Sequence, residues 1–119
     1  MIPTLSEQVD SLKLICPGVQ KAEEAGATFY LLPQLKLPAG CIPEQVDALL
    51  CPTPHSGYNS RLFFAAPIQT THVRRTPQPL NWNGQLWVLE RNWHAFSWQT
   101  DVTGLTLIQI LQLHLDGLR

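Results

Sequence analysis

Three short apolar runs, each followed by turn residues, constrain the fold of this chain more than any other feature of its sequence. They cover residues 29–37, 45–51 and 61–66. Apolar runs of this length between proline and glycine residues are typical of strands, and their short spacing favours an antiparallel meander. Pro33 lies inside the first run and has no backbone N–H to donate. This strand is therefore expected at a sheet edge or at a bulge.

A helix is predicted near each end of the chain. Thr4 and Glu7 have the spacing of a capping box, and apolar residues follow at helical spacing, which predicts a helix over 4–15. The run LTLIQILQLHLDGL has one apolar stripe and a narrow polar edge. This pattern predicts a second helix that begins at Thr103 or Gly104.

Less regular segments connect these elements. Residues 20–27 are polar and small and predict a turn or loop, residues 67–83 predict a long loop, and residues 86–89 predict a short strand. Asp101 is expected to cap the second helix. The order of helix, three strands, long loop, short strand and helix predicts an α+β fold, in which a four-stranded antiparallel sheet carries both helices on one face.

Composition limits the classes to which the protein can belong. The 119 residues predict a single domain over 1–119. The hydrophobic fraction of 45% excludes disorder, and the low charged fraction of 14% favours a chain that docks onto partners. A net charge of −1 gives no basis for nucleic-acid binding. No stretch approaches the roughly 20 apolar residues of a membrane span, and the N-terminal sequence lacks the pattern of a secretory signal.

The three cysteines, Cys16, Cys41 and Cys51, are odd in number and lack paired spacing. This usage indicates a reducing, cytoplasmic location. No Cys-x-x-Cys or His-x-x-x-His pair is present, so no metal site and no cofactor are predicted. Cys16 and Cys51 are expected to be buried packing residues. Cys41 follows a Pro-Ala-Gly turn and is expected to be exposed.

Four tryptophans, Trp82, Trp87, Trp93 and Trp98, fall within 17 residues of one another. Tryptophan anchors interfaces and also fills cores, so both interpretations stay open for Trp93 and Trp98. If Trp93 contacts a partner, Trp93→Ala should weaken binding and leave the thermal midpoint nearly unchanged. His94 is expected to be a polar loop residue, with a role as proton acceptor as the alternative.

The segment Asn83-Gly84-Gln85-Leu86-Trp87-Val88-Leu89 resembles the frame around the thioester-forming cysteine of ubiquitin-conjugating enzymes, with Trp87 at the cysteine position. An Asn-Gly pair before an alternating apolar run is also a hairpin signal. Further short motifs are similar to a prokaryotic ubiquitin-conjugating-like family called family E. These motifs are Leu37-Pro38-Ala39-Gly40, Gly57-Tyr58 with Arg61-Leu62-Phe63-Phe64, and Trp93-His94 with Ser97-Trp98.

The resemblance implies a ubiquitin-conjugating-like fold and two partners, an activating-enzyme-like adenylyltransferase and a ubiquitin-like protein, in an antiphage pathway. An indole has no nucleophilic atom, so Trp87 cannot carry a ubiquitin-like tail. The family's His-Pro-Asn histidine is also missing, and its asparagine would correspond to Asn81 or Asn83. Trp87 is expected to face inward, so that Trp87→Cys would cost about 3 kcal/mol or more and would not restore carrier activity.

The resemblance also implies two docking surfaces. One lies on the first helix, around Leu5 and Val9, and would meet the activating enzyme. The other would receive the ubiquitin-like protein, and its residues are Trp82, Asn83, Trp93, His94 and Trp98.

Two functional hypotheses follow, with a third outside the resemblance. The protein is a non-catalytic adaptor that binds these partners, or it is an active carrier whose nucleophile is Cys41, Cys51 or a hydroxyl such as that of Ser97. The third hypothesis is an unrelated small α+β protein that matches the frame by accident.

Overall fold

Two helices and eight strands form the described part of the chain. A computed structural model describes residues 4–24, 26–54, 57–70, 82, 84–95 and 101–116. The elements are α1 (Leu5–Ile15), β1 (Gln20–Glu24), β2 (Ala27–Lys36), β3 (Cys41–Ile42), β4 (Gln45–Cys51), β5 (Arg61–Phe64), β6 (Gln69–Thr70), β7 (Gly84–Val88), β8 (Arg91–Ala95) and α2 (Leu107–Asp116).

Six of the strands form one antiparallel sheet in the order β1-β2-β4-β5-β8-β7, and β3 pairs separately with β6. The α+β class and the antiparallel arrangement are confirmed, and the three apolar runs are β2, β4 and β5. The predicted count of four strands is wrong. Residues 20–24, expected in a turn or loop, form β1, whose polar sequence gives no strand signal. This segment is extended because its backbone pairs with β2 from Gln20↔Leu31 to Glu24↔Ala27.

Pro33 lies at an irregularity in β2, where the register with β4 shifts between Leu32 and Leu35. Gln34 takes a positive φ of 53° there, and its N–H donates to Oδ1 of Asp47 at 2.9 Å. Of the two places predicted for Pro33, the structure therefore shows the irregularity within the strand and not the sheet edge, because β2 lies between β1 and β4.

The start of α1 agrees with the sequence, and that of α2 does not. Thr4 Oγ1 accepts a hydrogen bond from the N–H of Glu7 at 3.2 Å, as predicted. α2 begins only at Leu107, where Thr106 and Gln109 form a capping box. Asp101 instead accepts from the N–H of Thr103 at 2.9 Å, in a turn ahead of the helix, so its predicted role as the cap is wrong.

The two helices lie on one face of the sheet, as expected, and they start at the same end of it. The N–H of Leu107 donates to Oε1 of Gln8 at 3.0 Å, and Ile15 and Leu115 line one groove at the opposite end. Residues from both helices and from β2, β4 and β5 form the first core cluster, which includes Leu12, Leu32, Leu50, Phe64 and Leu111.

The other sheet face carries a second core cluster, formed by Phe29, Leu49, Cys51, Phe63, Val88, Trp93 and Ala95. The sheet curls over this cluster, and in the part of the chain that the structure describes β5 and β8 share a single Cα pair, Phe64↔His94. Two polar contacts hold the curled arrangement. The N–H of Leu89 donates to Oε2 of Glu24 in β1 at 3.3 Å, and Nη1 of Arg91 donates to Oδ2 of Asp47 in β4 at 3.0 Å. The bonds from Gln34 and Arg91 hold the pKa of Asp47 below its usual value.

Candidate functional site

Strands β7 and β8 form a hairpin with Leu89 and Glu90 as its two turn residues. Both have a positive φ, 53° and 61°, as a type I′ turn requires. The register pairs Val88 with Arg91 beside the turn and Gln85 with His94 further away. The turn therefore includes Leu89, the last residue of the predicted strand, and the Asn-Gly pair of the sequence does not mark it.

Trp87 projects from the outer face of this hairpin. Its residue is 65% exposed, whereas Val88 is buried in the second core cluster and Leu86 packs against that cluster. Successive side chains of a strand point to opposite faces, so Leu86 and Val88 leave the outer face to Gln85 and Trp87. The expected inward orientation of Trp87 is therefore wrong.

Trp93 occupies the opposite environment, although it lies in the same hairpin. It is 0% exposed, and its Nε1–H donates to the carbonyl oxygen of Val88 at 3.0 Å. The guanidinium of Arg91 lies 4.6 Å from the centroid of its ring. The interpretation in which Trp93 contacts a partner is therefore wrong, and the alternative interpretation, core packing, is confirmed.

His94 and Trp82, two further residues of the predicted site, are partly buried. His94 is in β8 and not in a loop, opposite Gln85 on one side and Phe64 on the other. The ring of Trp82 meets that of Phe64 edge-on, with 5.9 Å between centroids, and packs against the first core cluster. Trp82 therefore supports the core beside the hairpin.

Several residues of the predicted site are outside the described residues, and their predictions stay open. Within the long loop predicted over residues 67–83, residues 69–70 form strand β6 instead. The candidate residues outside the described ranges are Asn81, Asn83, Ser97 and Trp98.

The predicted docking surface on α1 is present only in part. Leu5 is about half exposed, but Val9 packs against the first core cluster. Two further apolar residues of α1, which the sequence did not indicate, are also on the surface. Leu14 is 86% exposed, and Ile15 lines the groove beside α2.

All three cysteines are buried thiols. Burial raises the pKa of Cys16, Cys41 and Cys51 above the ordinary thiol value, which disfavours the nucleophilic thiolate. The expected exposure of Cys41 is wrong, because its strand β3 pairs with β6 and its side chain joins the first core cluster. The burial of Cys16 and Cys51 is confirmed.

A buried polar cluster joins β5 to α2, and nothing in the sequence analysis indicated it. Ser60 Oγ lies 2.7 Å from Nε2 of His114, and the guanidinium of Arg61 lies 4.1 Å from the centroid of the Tyr58 ring. Burial, with a contribution from Arg61, lowers the pKa of His114 to about 4. Ser60 and His114 are almost fully enclosed, so a substrate cannot reach this hydroxyl–imidazole pair, and its role is structural.

The described residues contain no group of three or more histidine, cysteine, aspartate or glutamate side chains that could hold a metal ion. In the same part of the chain, no helix is long and apolar enough to cross a membrane.

The position of Trp87 changes what its replacement should do. We expect Trp87→Cys to lower the free energy of unfolding by at most about 1 kcal/mol, because most of the indole lies outside the core. Urea denaturation of the two proteins measures this difference. A loss of 3 kcal/mol or more would show that the ring packs inward in solution.

Searches against protein-family models, curated proteins and solved structures give no match to this chain.

Proposed function

We propose that this protein is a non-catalytic relative of ubiquitin-conjugating enzymes in a bacterial ubiquitin-like conjugation pathway of antiphage defence. In this role it binds the activating-enzyme-like adenylyltransferase or the ubiquitin-like protein and carries no covalent intermediate. The main observation in favour is the exposure of Trp87, which stands where the resemblance puts the thioester cysteine.

The surface around Trp87 has the chemistry of a protein contact. An exposed indole offers a large apolar area with few rotatable bonds, and tryptophan is enriched among the residues that dominate binding energy. Gln85 and Asn92, its neighbours on the outer face of the hairpin, are exposed and uncharged. A partner can therefore cover this surface without removing a charge from water.

The order of elements also supports the proposal. A first helix is followed by a meander of β1, β2, β4 and β5, in which each strand pairs with the next. The hairpin that contains Trp87 comes after this meander, and α2 follows it. The resemblance implies the same order of helix, meander, active-site segment and helix.

The carrier hypothesis with a cysteine nucleophile has less support, because it needs a thiolate that can reach the tail of another protein. Cys41 and Cys51 are both in the core, and their pKa values are raised by burial. A carrier would have to open one of the two core clusters before it could react. Non-covalent binding through Trp87 requires no such change.

Binding to the two proposed partners tests the proposal. We expect the purified adenylyltransferase or ubiquitin-like protein to bind the wild-type chain in isothermal titration calorimetry. Trp87→Ala should weaken that binding by about 2 kcal/mol, or roughly 30-fold, as expected for an interface hot spot. Ile42→Ala is the matched control, because Ile42 is 52% exposed and lies in β3, outside the hairpin.

A separate charging assay tests whether the protein forms a covalent intermediate with the ubiquitin-like protein. With ATP and both partner proteins, the wild-type chain should form no adduct that a thiol reagent cleaves. An ATP-dependent, thiol-sensitive adduct that disappears in Cys41→Ser or Cys51→Ser would contradict the proposal and establish the carrier.

A further inference from the structure

Strand β7 is an edge of the six-stranded sheet, and within the described residues no strand pairs with its outer side. The register of the hairpin shows which backbone groups point outward. Val88 and Arg91 flank the two-residue turn, so they form a hydrogen-bonded pair, and hydrogen-bonded and non-hydrogen-bonded pairs alternate from there. Gln85 and Trp87 belong to the non-hydrogen-bonded pairs. Their N–H and C=O groups therefore point away from β8.

The pairing between β5 and β8 leads independently to the same assignment. The N–H of Ala65 donates to the carbonyl oxygen of Asp47 in β4 at 3.0 Å, so the backbone groups of Phe64, one residue earlier, point away from β4 and toward β8. His94 pairs with Phe64, so its backbone groups point toward β5 and away from β7. Gln85 lies opposite His94 in the hairpin. The backbone groups of Gln85 therefore face the other way, to the outer edge of the sheet.

The two edges of the sheet differ in charge. β1, the opposite edge, has Lys21, Glu23 and Glu24 among its five residues, and charged side chains discourage pairing with another strand. β7, with the sequence GQLWV, has no charge and no proline. The exposed indole of Trp87 stands on this unprotected edge.

We infer that β7 binds its partner by strand addition, which rests on the proposed function and specifies how the Trp87 surface is used. The occupant is an extended, uncharged segment of the partner protein that forms hydrogen bonds with the outward backbone groups of Gln85 and Trp87. A large apolar side chain of that segment packs against the indole. In this mode main-chain hydrogen bonds provide affinity, and the side chains that alternate along the strand provide selectivity.

A proline at position 85 tests the backbone contact. Gln85→Pro removes an N–H that points to solvent, and an edge strand accepts proline at such a position. The melting temperature should therefore change by only a few degrees. Binding of the adenylyltransferase or the ubiquitin-like protein should weaken about tenfold or more, because a carbonyl of the partner loses its donor. Gln85→Ala is the matched reference, since it removes the same side chain and keeps the N–H, so Gln85→Pro should bind about tenfold or more weakly than Gln85→Ala.

The combination of variants separates this inference from the proposed function. If Trp87→Ala weakens binding and Gln85→Pro does not, the surface is correct and strand addition is wrong. If neither partner binds, or if Trp87→Ala binds as tightly as the wild type, the proposed function fails and the inference fails with it. A homodimer in sedimentation equilibrium that Gln85→Pro dissociates would make a second copy of this chain the occupant and would overturn the inference.

Amide hydrogen exchange of the wild-type protein tests the inference without a substitution. The amides of Gln85 and Trp87 should exchange rapidly in the free protein, because no strand among the described residues pairs with the outer side of β7, whereas that of Leu86 is bonded to β8. Saturation with the bound partner should slow Gln85 and Trp87 by about tenfold or more. Unchanged exchange in the complex would overturn strand addition.

Discussion

Trp93→Ala should lower the free energy of unfolding by about 3–5 kcal/mol, the range for truncation of a large aromatic side chain in a core. Trp93 is completely buried and packs with Phe29, Leu49 and Phe63. Its loss leaves a cavity beneath the curled part of the sheet. It also removes the donor to the Val88 carbonyl and the ring that lies beside Arg91.

Trp87→Ala is the matched control for this experiment, because both tryptophans are in one hairpin and differ mainly in burial. It should change the free energy of unfolding by only about 0.5 kcal/mol. Thermal denaturation should show a decrease of roughly 12 °C or more for Trp93→Ala and a small shift for Trp87→Ala. Equal effects of the two substitutions would show that the hairpin does not have this orientation in solution.

The stability of the protein should decrease between pH 6.5 and about pH 4 because of His114. Its pKa is about 4 in the folded protein, against a value of 6.5 for an unperturbed histidine. Within this range the unfolded chain binds a proton that the folded chain does not, so acid favours unfolding. The difference corresponds to about 3 kcal/mol, which is present above pH 6.5 and is lost as the pH falls to about 4.

The comparison with His114→Gln isolates this contribution. Urea denaturation from pH 7.5 to pH 4.5 should show a steeper loss of stability for the wild type than for the variant, with a slope of up to about 1.4 kcal/mol per pH unit. Asp47, whose pKa is lowered by its hydrogen bonds with Gln34 and Arg91, adds its own loss of stability only below 3.8, the pKa of an unperturbed aspartate. Identical pH profiles for the two proteins would show that His114 is accessible to protons in the folded state.

Local signals account for the parts of the fold that the sequence predicts well. β4 has the predicted bounds, and α1 starts at the predicted cap, because side chains within a few residues determine both. The Thr106–Gln109 capping box was also readable, but Asp101 offered a competing cap earlier in the chain. The buried pair of Ser60 and His114 is 54 residues apart in sequence, and no local pattern indicates it.

The candidate site could be located from the sequence, but its orientation could not. The dense tryptophans and the resemblance both direct attention to residues 82–98, where the exposed Trp87 lies. Yet Trp87, which was expected to face inward, is exposed, and Trp93, for which partner contact and core packing were both open, is enclosed. An alternating strand presents two faces, and its own sequence does not state which face meets the core. Leu86 and Val88 lie on the inner face of β7, because the second core cluster packs against that face.

The sequence by itself determined the α+β class, the three central strands, both helices and the chemistry that Trp87 cannot perform. These depend on periodicity, caps and atom types, which act within a few residues. Only the tertiary structure decided that β1 is a strand, that Cys41 is buried and that Trp93 is enclosed while Trp87 is exposed. Each of these depends on contacts between segments far apart in the chain, whose backbone pairing and packing outweigh local preference.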